Sequence, residues 1–159
     1  MNDKPLDFSN HDRDVAGLKY VYPVVSRRAG GVSIGINLNV NNACNWRCIY
    51  CQVPNLVRGG PPPVDLGVLE AELRYLLEDI LHGDFMAKSV PEDMRRLNDI
   101  ALSGNGEPTS AKEFPAVVEL VGGLMREYAL LKQSPDRAAV APPPSTAVAL
   151  RAGQAGPDQ

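Results

Sequence analysis

Hydrophobic residues along the chain fall into a few patterned stretches separated by polar, proline- and glycine-rich segments. Ile34, Ile36, Leu38 and Val40 alternate with Ser33, Gly35, Asn37 and Asn39, the period of a strand with one buried face over residues 33–40. Upstream, residues 19–25 gather Tyr20, Val21, Tyr22, Val24 and Val25 around Pro23, and a β-prone run carrying a proline predicts an edge strand. Leu69, Leu73, Leu76, Leu77, Ile80 and Leu81 recur at helical spacing. They predict a long helix opened by Asp65 as N-cap and closed at Gly83. Ser89, Pro91 and Glu92 combine a capping box with a proline in the first turn and predict a short second helix. Residues 100–103 read as a brief buried strand. Phe114, Val117, Val118, Val121, Leu124, Met125 and Tyr128 mark a last helix, weakened by Gly122 and Gly123.

Between these elements lie two unusual segments. One, after the strand at 33–40, holds every cysteine of the chain: Cys44, Cys48 and Cys51. The other, after the strand at 100–103, reads Gly104, Asn105, Gly106, Glu107, Pro108, Thr109. The order strand, cysteine loop, helix, strand, glycine turn, helix predicts two β/α units, hence an α/β fold with a parallel sheet and helices outside it. Both segments follow the C-terminal ends of predicted strands, the edge where α/β folds build their sites.

Composition sharpens the domain picture. Residues 1–18 are polar and read as a flexible N-terminal arm, residues 19–132 form the core domain, and residues 133–159, rich in Ala and Pro, read as a disordered tail. At 159 residues the chain has room for one domain with a real core. A net charge of −3 gives no general electrostatic case for nucleic acid or an anionic membrane. No apolar run reaches the length of a membrane span, and the polar start is not a signal peptide. Clustered thiols with none elsewhere suit a metal in a reducing compartment, so a cytoplasmic protein is expected.

Three thiolates are one short of a closed tetrahedral site. A cubane iron–sulfur cluster held this way keeps one iron free of protein sulfur, whereas a structural zinc fills four positions. The spacing Cys44-x3-Cys48-x2-Cys51, with Tyr50 before the last cysteine, resembles the defining motif of the radical S-adenosylmethionine (radical SAM) superfamily. Gly104, Asn105, Gly106, Glu107 and Pro108 resemble that superfamily's second motif, at the end of its second strand. The resemblance spans roughly residues 33–130.

It implies that Cys44, Cys48 and Cys51 hold a 4Fe–4S cluster whose open iron takes the amino and carboxylate groups of SAM. One electron from the cluster then cleaves the sulfonium, giving methionine and a 5′-deoxyadenosyl radical that abstracts hydrogen from an unknown substrate. A reducing donor such as flavodoxin or ferredoxin is implied as partner. Gly104, Asn105, Gly106, Glu107 and Pro108 are expected to bind SAM. Here the glycines allow close approach and positive φ, and the Glu107 carboxylate and backbone carbonyls receive the SAM ammonium. Tyr50 is expected near the adenine. The fold implied is a partial (β/α) barrel. The later strands of such a core are not found in the sequence, so the chain is expected to be its N-terminal or truncated portion.

Alternatives stand beside these expectations. The three cysteines suit a small zinc-binding interaction module completed by His11 or His82. Gly104–Thr109 suits a strand-to-helix turn capped by Thr109 or Ser110. Trp46 and Arg47 fit shielding of a cluster or tuning of its potential, Trp46 equally fits loop packing, and Arg27 and Arg28 fit either an anion site or a solvated pair.

Overall fold

Leucines at helical spacing and aliphatics at strand spacing supply the two halves of one core. The computed structural model describes residues 17–26, 30–130 and 148–151. In chain order its elements are strands β1 (Val21–Ser26) and β2 (Gly31–Ile36), helices α1 (Leu66–Leu81) and α2 (Phe85–Ser89), strand β3 (Leu97–Leu102), helix α3 (Phe114–Glu127) and strand β4 (Val148–Arg151). Single 3₁₀ turns lie at Glu92–Met94 and Pro108–Ser110. The described part is therefore a mixed α/β structure built on an open sheet of order β1-β2-β3-β4.

The sheet corrects the expectation of purely parallel strands. β2 and β3 are parallel, with Ile34 beside Ile100 and Ile36 beside Leu102, and this pair with α1 between them is a β/α crossover. β1 and β4 are antiparallel edges. For β1 the reason is distance: only residues 27–30 connect it to β2, too few for a crossover. Gly30 turns the chain at φ 64° and donates to the Ser26 carbonyl at 2.7 Å. As an edge strand, β1 tolerates Pro23.

Within residues 133–159, expected from composition to form a disordered tail, Val148–Arg151 forms a strand whose backbone pairs with β3 along residues 99–102 and covers an edge that would otherwise expose unpaired amides and carbonyls. The arm at 1–16, Arg27 and Arg28, and residues 131–147 and 152–159 lie outside the described residues.

One face of the sheet carries Val21, Val25, Val32, Ile34, Ile36, Ile100 and Leu102, all within one core with α1 and α3. From α1 this core takes Leu69, Leu73, Leu76, Leu77 and Ile80. An isolated helix of this length is marginal in water, so tertiary packing holds it, each buried leucine contributing about 1.5–3 kcal/mol. Asp65 caps it as expected, accepting from Val68 N at 3.1 Å. The buried Tyr20 hydroxyl accepts from Asp65 N at 3.1 Å, and Glu72 accepts from Lys19, Tyr20 and Val21 backbone amides at 2.7, 2.8 and 3.3 Å. Together these tie the start of β1 to α1.

The opposite face is small and partly polar. Gly35 lies under the Tyr22 ring, which any side chain there would strike. The Tyr22 hydroxyl lies 2.9 Å from the Ser103 hydroxyl and donates to the Ser103 carbonyl at 3.2 Å.

The short helix expected from Ser89 is displaced. α2 ends at Ser89, and Pro91 leads into the 3₁₀ turn at Glu92–Met94 without a side-chain cap. Val90 is extended because it precedes proline. α3, by contrast, runs unbroken through Gly122 and Gly123. The glycines cost about 1 kcal/mol each relative to alanine, which burial of Val117, Val121, Leu124 and Met125 exceeds. Among the described residues, no helix is long and apolar enough to cross a membrane.

Candidate functional site

The strand expected over 33–40 stops at Ile36, and asparagines explain why. Asn37 N donates to the Tyr20 carbonyl at 2.8 Å. The Asn37 side-chain oxygen then takes the Asn39 amide at 3.0 Å, a local turn that competes with the sheet ladder. Both side chains are buried, Asn37 7% and Asn39 1% exposed, and Asn39 Nδ2 donates to the Ala43 carbonyl at 2.8 Å. What alternation presents as the polar face of a strand is thus the hinge into the cysteine loop.

The loop braces itself. Ala43 and Val57 form an isolated parallel bridge in which Cys44 N donates to Val57 O at 2.9 Å and Val57 N to Asn42 O at 3.0 Å. Asn42 adopts a left-handed φ of 57°, which asparagine tolerates. Its amide donates to Pro54 and Asn55 carbonyls at 3.0 and 2.7 Å. Asn41 donates to Gly60 O at 3.0 Å, and Arg58 donates to Asn45 O at 2.9 Å.

Within this frame Cys44 is buried, Cys48 half-buried and Cys51 exposed, all as free thiols. Cys51 N donates to Cys48 O at 3.1 Å, closing a turn between them. Trp46 N donates to Cys44 Sγ at 3.4 Å, the kind of contact that tunes a ligating sulfur. Tyr50 is exposed; its side-chain hydrogen bond with Cys48, and the electrostatic interaction with it, hold the phenol above its ordinary value. Trp46 and Ile49 are also exposed, so Trp46 does not pack into the core.

The glycine turn meets this loop at the C-terminal end of β3. Ser103 N donates to Ile36 O at 3.0 Å, and Asn105 N to Asn37 Oδ1 at 3.1 Å. The glycines are needed here, but not for positive φ, which neither adopts. A Cβ on Gly104 would strike the Asn37 side chain, and one on Gly106 would lie 2.5 Å from Asn39 Nδ2 and 3.1 Å from Cys44 Cβ. Close approach between turn and loop is the constraint. Glu107 caps the 3₁₀ turn at Pro108–Ser110, accepting from Thr109 N at 3.2 Å and from Thr109 Oγ1 at 2.7 Å, while α3 opens after Glu113 with no side-chain cap, so neither Thr109 nor Ser110 caps that helix.

A cleft of about 480 Å³, its open mouth included, lies between the two segments. It is lined by Cys44, Trp46, Cys48, Tyr50, Cys51, Gln52, Val53, Leu56, Gly104, Gly106 and Glu107. Every cysteine, Tyr50 and three residues of the glycine turn are thus brought together. Asn105 and Pro108 are not in the lining; Asn105 holds Asn37 and Pro108 is buried. Gln52, Val53 and Leu56 join the site without a recognisable sequence signal. Asn37 and Asn39 did carry one, as amides concentrated at a strand end.

The donors suit an iron–sulfur cluster in kind: three thiols on one wall, with no fourth cysteine in the chain. Among the described residues, no three His, Cys, Asp or Glu side chains are grouped to hold one metal ion. His82 ends α1 and does not line the cleft; His11 lies outside the described residues. No protein-family model, curated protein or solved structure matches the chain.

Proposed function

We propose that this chain is an iron–sulfur protein of the radical SAM type, with Cys44, Cys48 and Cys51 holding a 4Fe–4S cluster and the Gly104–Glu107 turn receiving SAM. One observation carries the reading. Two segments far apart in sequence, each resembling a motif of that superfamily, share the walls of one cleft at the ends of adjacent parallel strands. The β2–α1–β3 crossover is read as the opening of a partial (β/α) barrel.

When bound, the cluster would supply the electron for reductive cleavage of SAM to methionine and a 5′-deoxyadenosyl radical. The chain's own residues then have distinct work. Cys44 ligates from a buried position with the Trp46 amide on its sulfur. Cys48 and Cys51 ligate from a turn open to the cleft. Gly106 lets the turn approach Cys44. Glu107, one oxygen fixed by Thr109, offers its carboxylate to an ammonium. Tyr50 and Trp46 give the mouth aromatic surface suited to an adenine ring. A flavodoxin or ferredoxin is the class of electron donor this reading requires.

Anaerobic reconstitution tests it. The expected product is brown, carries about four irons per chain, and changes its electron paramagnetic resonance (EPR) spectrum on adding SAM. Cys44→Ala, Cys48→Ala and Cys51→Ala should each lose iron. Full cluster retention in all three would sink the reading, and about one zinc with no SAM response would favour the zinc module.

A further inference from the structure

Asn37 occupies a junction that ligand lists drawn from the two motifs leave out. Its Oδ1 accepts two backbone amides at once, Asn39 N at 3.0 Å on the cysteine-loop side and Asn105 N at 3.1 Å on the glycine-turn side. The group is 7% exposed. The same side chain is what a Cβ at Gly104 would strike, so the turn rests against it as well as bonding to it. Asn39, two residues on, bonds only to the loop side, through the Ala43 carbonyl that precedes Cys44.

We propose that Asn37 is a positioning residue that sets the glycine turn against the cysteine loop, and that its single oxygen governs how well the turn receives SAM rather than whether the thiols load a cluster. The proposal rests on the radical SAM reading of the cleft. Physically, the split follows from the bonding. The three thiols belong to a loop closed by its own bridge, from Ala43 to Val57, and keep that closure without Asn37. The Gly104–Gly106 backbone has no comparable brace of its own: Asn105 N is held by Asn37 alone among the hydrogen bonds of that segment's amides to side chains. Removing the acceptor frees both amides; Asn39 stays tied to the loop through the Ala43 carbonyl, while the part-buried Asn105 amide loses its hold and the turn drifts. Asn37→Asp keeps an acceptor oxygen at the same reach and should restore it.

Wild type, Asn37→Ala, Asn37→Asp and Gly104→Ala are reconstituted anaerobically, with iron content and the EPR response to a SAM titration as readouts. Asn37→Ala should keep about four irons per chain yet need roughly tenfold more SAM for half the spectral change, equivalent to about 1.4 kcal/mol. Asn37→Asp should return the midpoint to within about twofold of wild type. Gly104→Ala presses the same turn away from Asn37 and should weaken SAM with the cluster kept, which maintains the test if Asn37→Ala does not fold. Wild-type SAM response with unchanged midpoints in Asn37→Ala and Gly104→Ala overturns this proposal alone. So does Asn37→Asp failing to restore the midpoint with its cluster intact. A wild-type chain that loads iron but never responds to SAM overturns the functional reading and this proposal with it.

Discussion

Three thiols only a few residues apart differ sharply in their surroundings. Cys44 is 5% exposed, behind the Val57 bridge and the Gly106 backbone, while Cys51 is open to solvent and Cys48 lies between. Alkylation of the native apo chain should therefore modify Cys51 first and Cys48 next, leaving Cys44 protected until the loop opens. Mass spectrometry of timed iodoacetamide digests reads the order, and in denaturant the three rates should become similar. Equal native rates would show that the loop does not hold Cys44 as described. A bound cluster should protect all three. Asn37 and Asn39 belong to the same scale: burying two amides costs free energy unless each is bonded, and here the bonds they make are those that join loop and turn.

At the scale of elements, α1 and α3 are joined by charge as well as by core packing. Arg74 on α1 binds Glu127 on α3 through two nitrogens, at 2.6 and 2.9 Å, and Glu70 at 2.9 Å. The bond from the Arg74 guanidinium holds the Glu127 carboxyl below its ordinary value. A folded pKa below the unfolded one means stabilisation present above the usual carboxylate range and lost as pH falls through the folded pKa. Glu127→Gln should therefore be less stable than wild type at neutral pH. The difference should shrink below about pH 4.5 and close once wild-type Glu127 is protonated. Urea denaturation across pH 2–7 measures this, and because the pair is exposed the gap should be small and shrink with salt. Within α3, a Cβ at Gly123 would meet nothing within 4 Å. Gly123→Ala should raise stability by about 0.5–1 kcal/mol, seen as a higher urea midpoint at unchanged slope.

For the whole molecule, the two parallel strands and the crossover between them are what make one site of two segments. The cysteine loop leaves the C-terminal end of β2 and the glycine turn leaves the same end of β3, and parallel pairing sets those ends side by side. A ligand bridging loop and turn binds the folded chain and not the unfolded one, so it must stabilise the fold. The reconstituted chain should melt several degrees above the apo chain under anaerobic conditions, and Cys51→Ala should abolish that gap. Equal melting temperatures in a chain that has taken up its iron would mean that the loop is loaded independently of the core.

Much of this was legible without coordinates. The Leu69–Ile80 spacing and Asp65 defined α1, because helical period and capping are local properties. Cysteine count and spacing, read with the glycine turn, marked two segments that the fold sets on one cleft, because thiols and small residues are visible in residue types. What local pattern could not settle depended on partners distant in sequence. β1 is antiparallel because its connection is short, and Val148–Arg151 is a strand because β3 offers it an edge. Asn37 and Asn39 alternate as strand residues should, yet they end the strand, since buried amides go where backbone groups need them. Of the two roles expected of Gly104 and Gly106, close approach and positive φ, neither glycine adopts positive φ, and the close contact they permit is with Asn37 and Asn39. Sequence determined which residues could do chemistry; tertiary structure decided that loop and turn meet in one cleft, because only strand pairing fixes the distance between them.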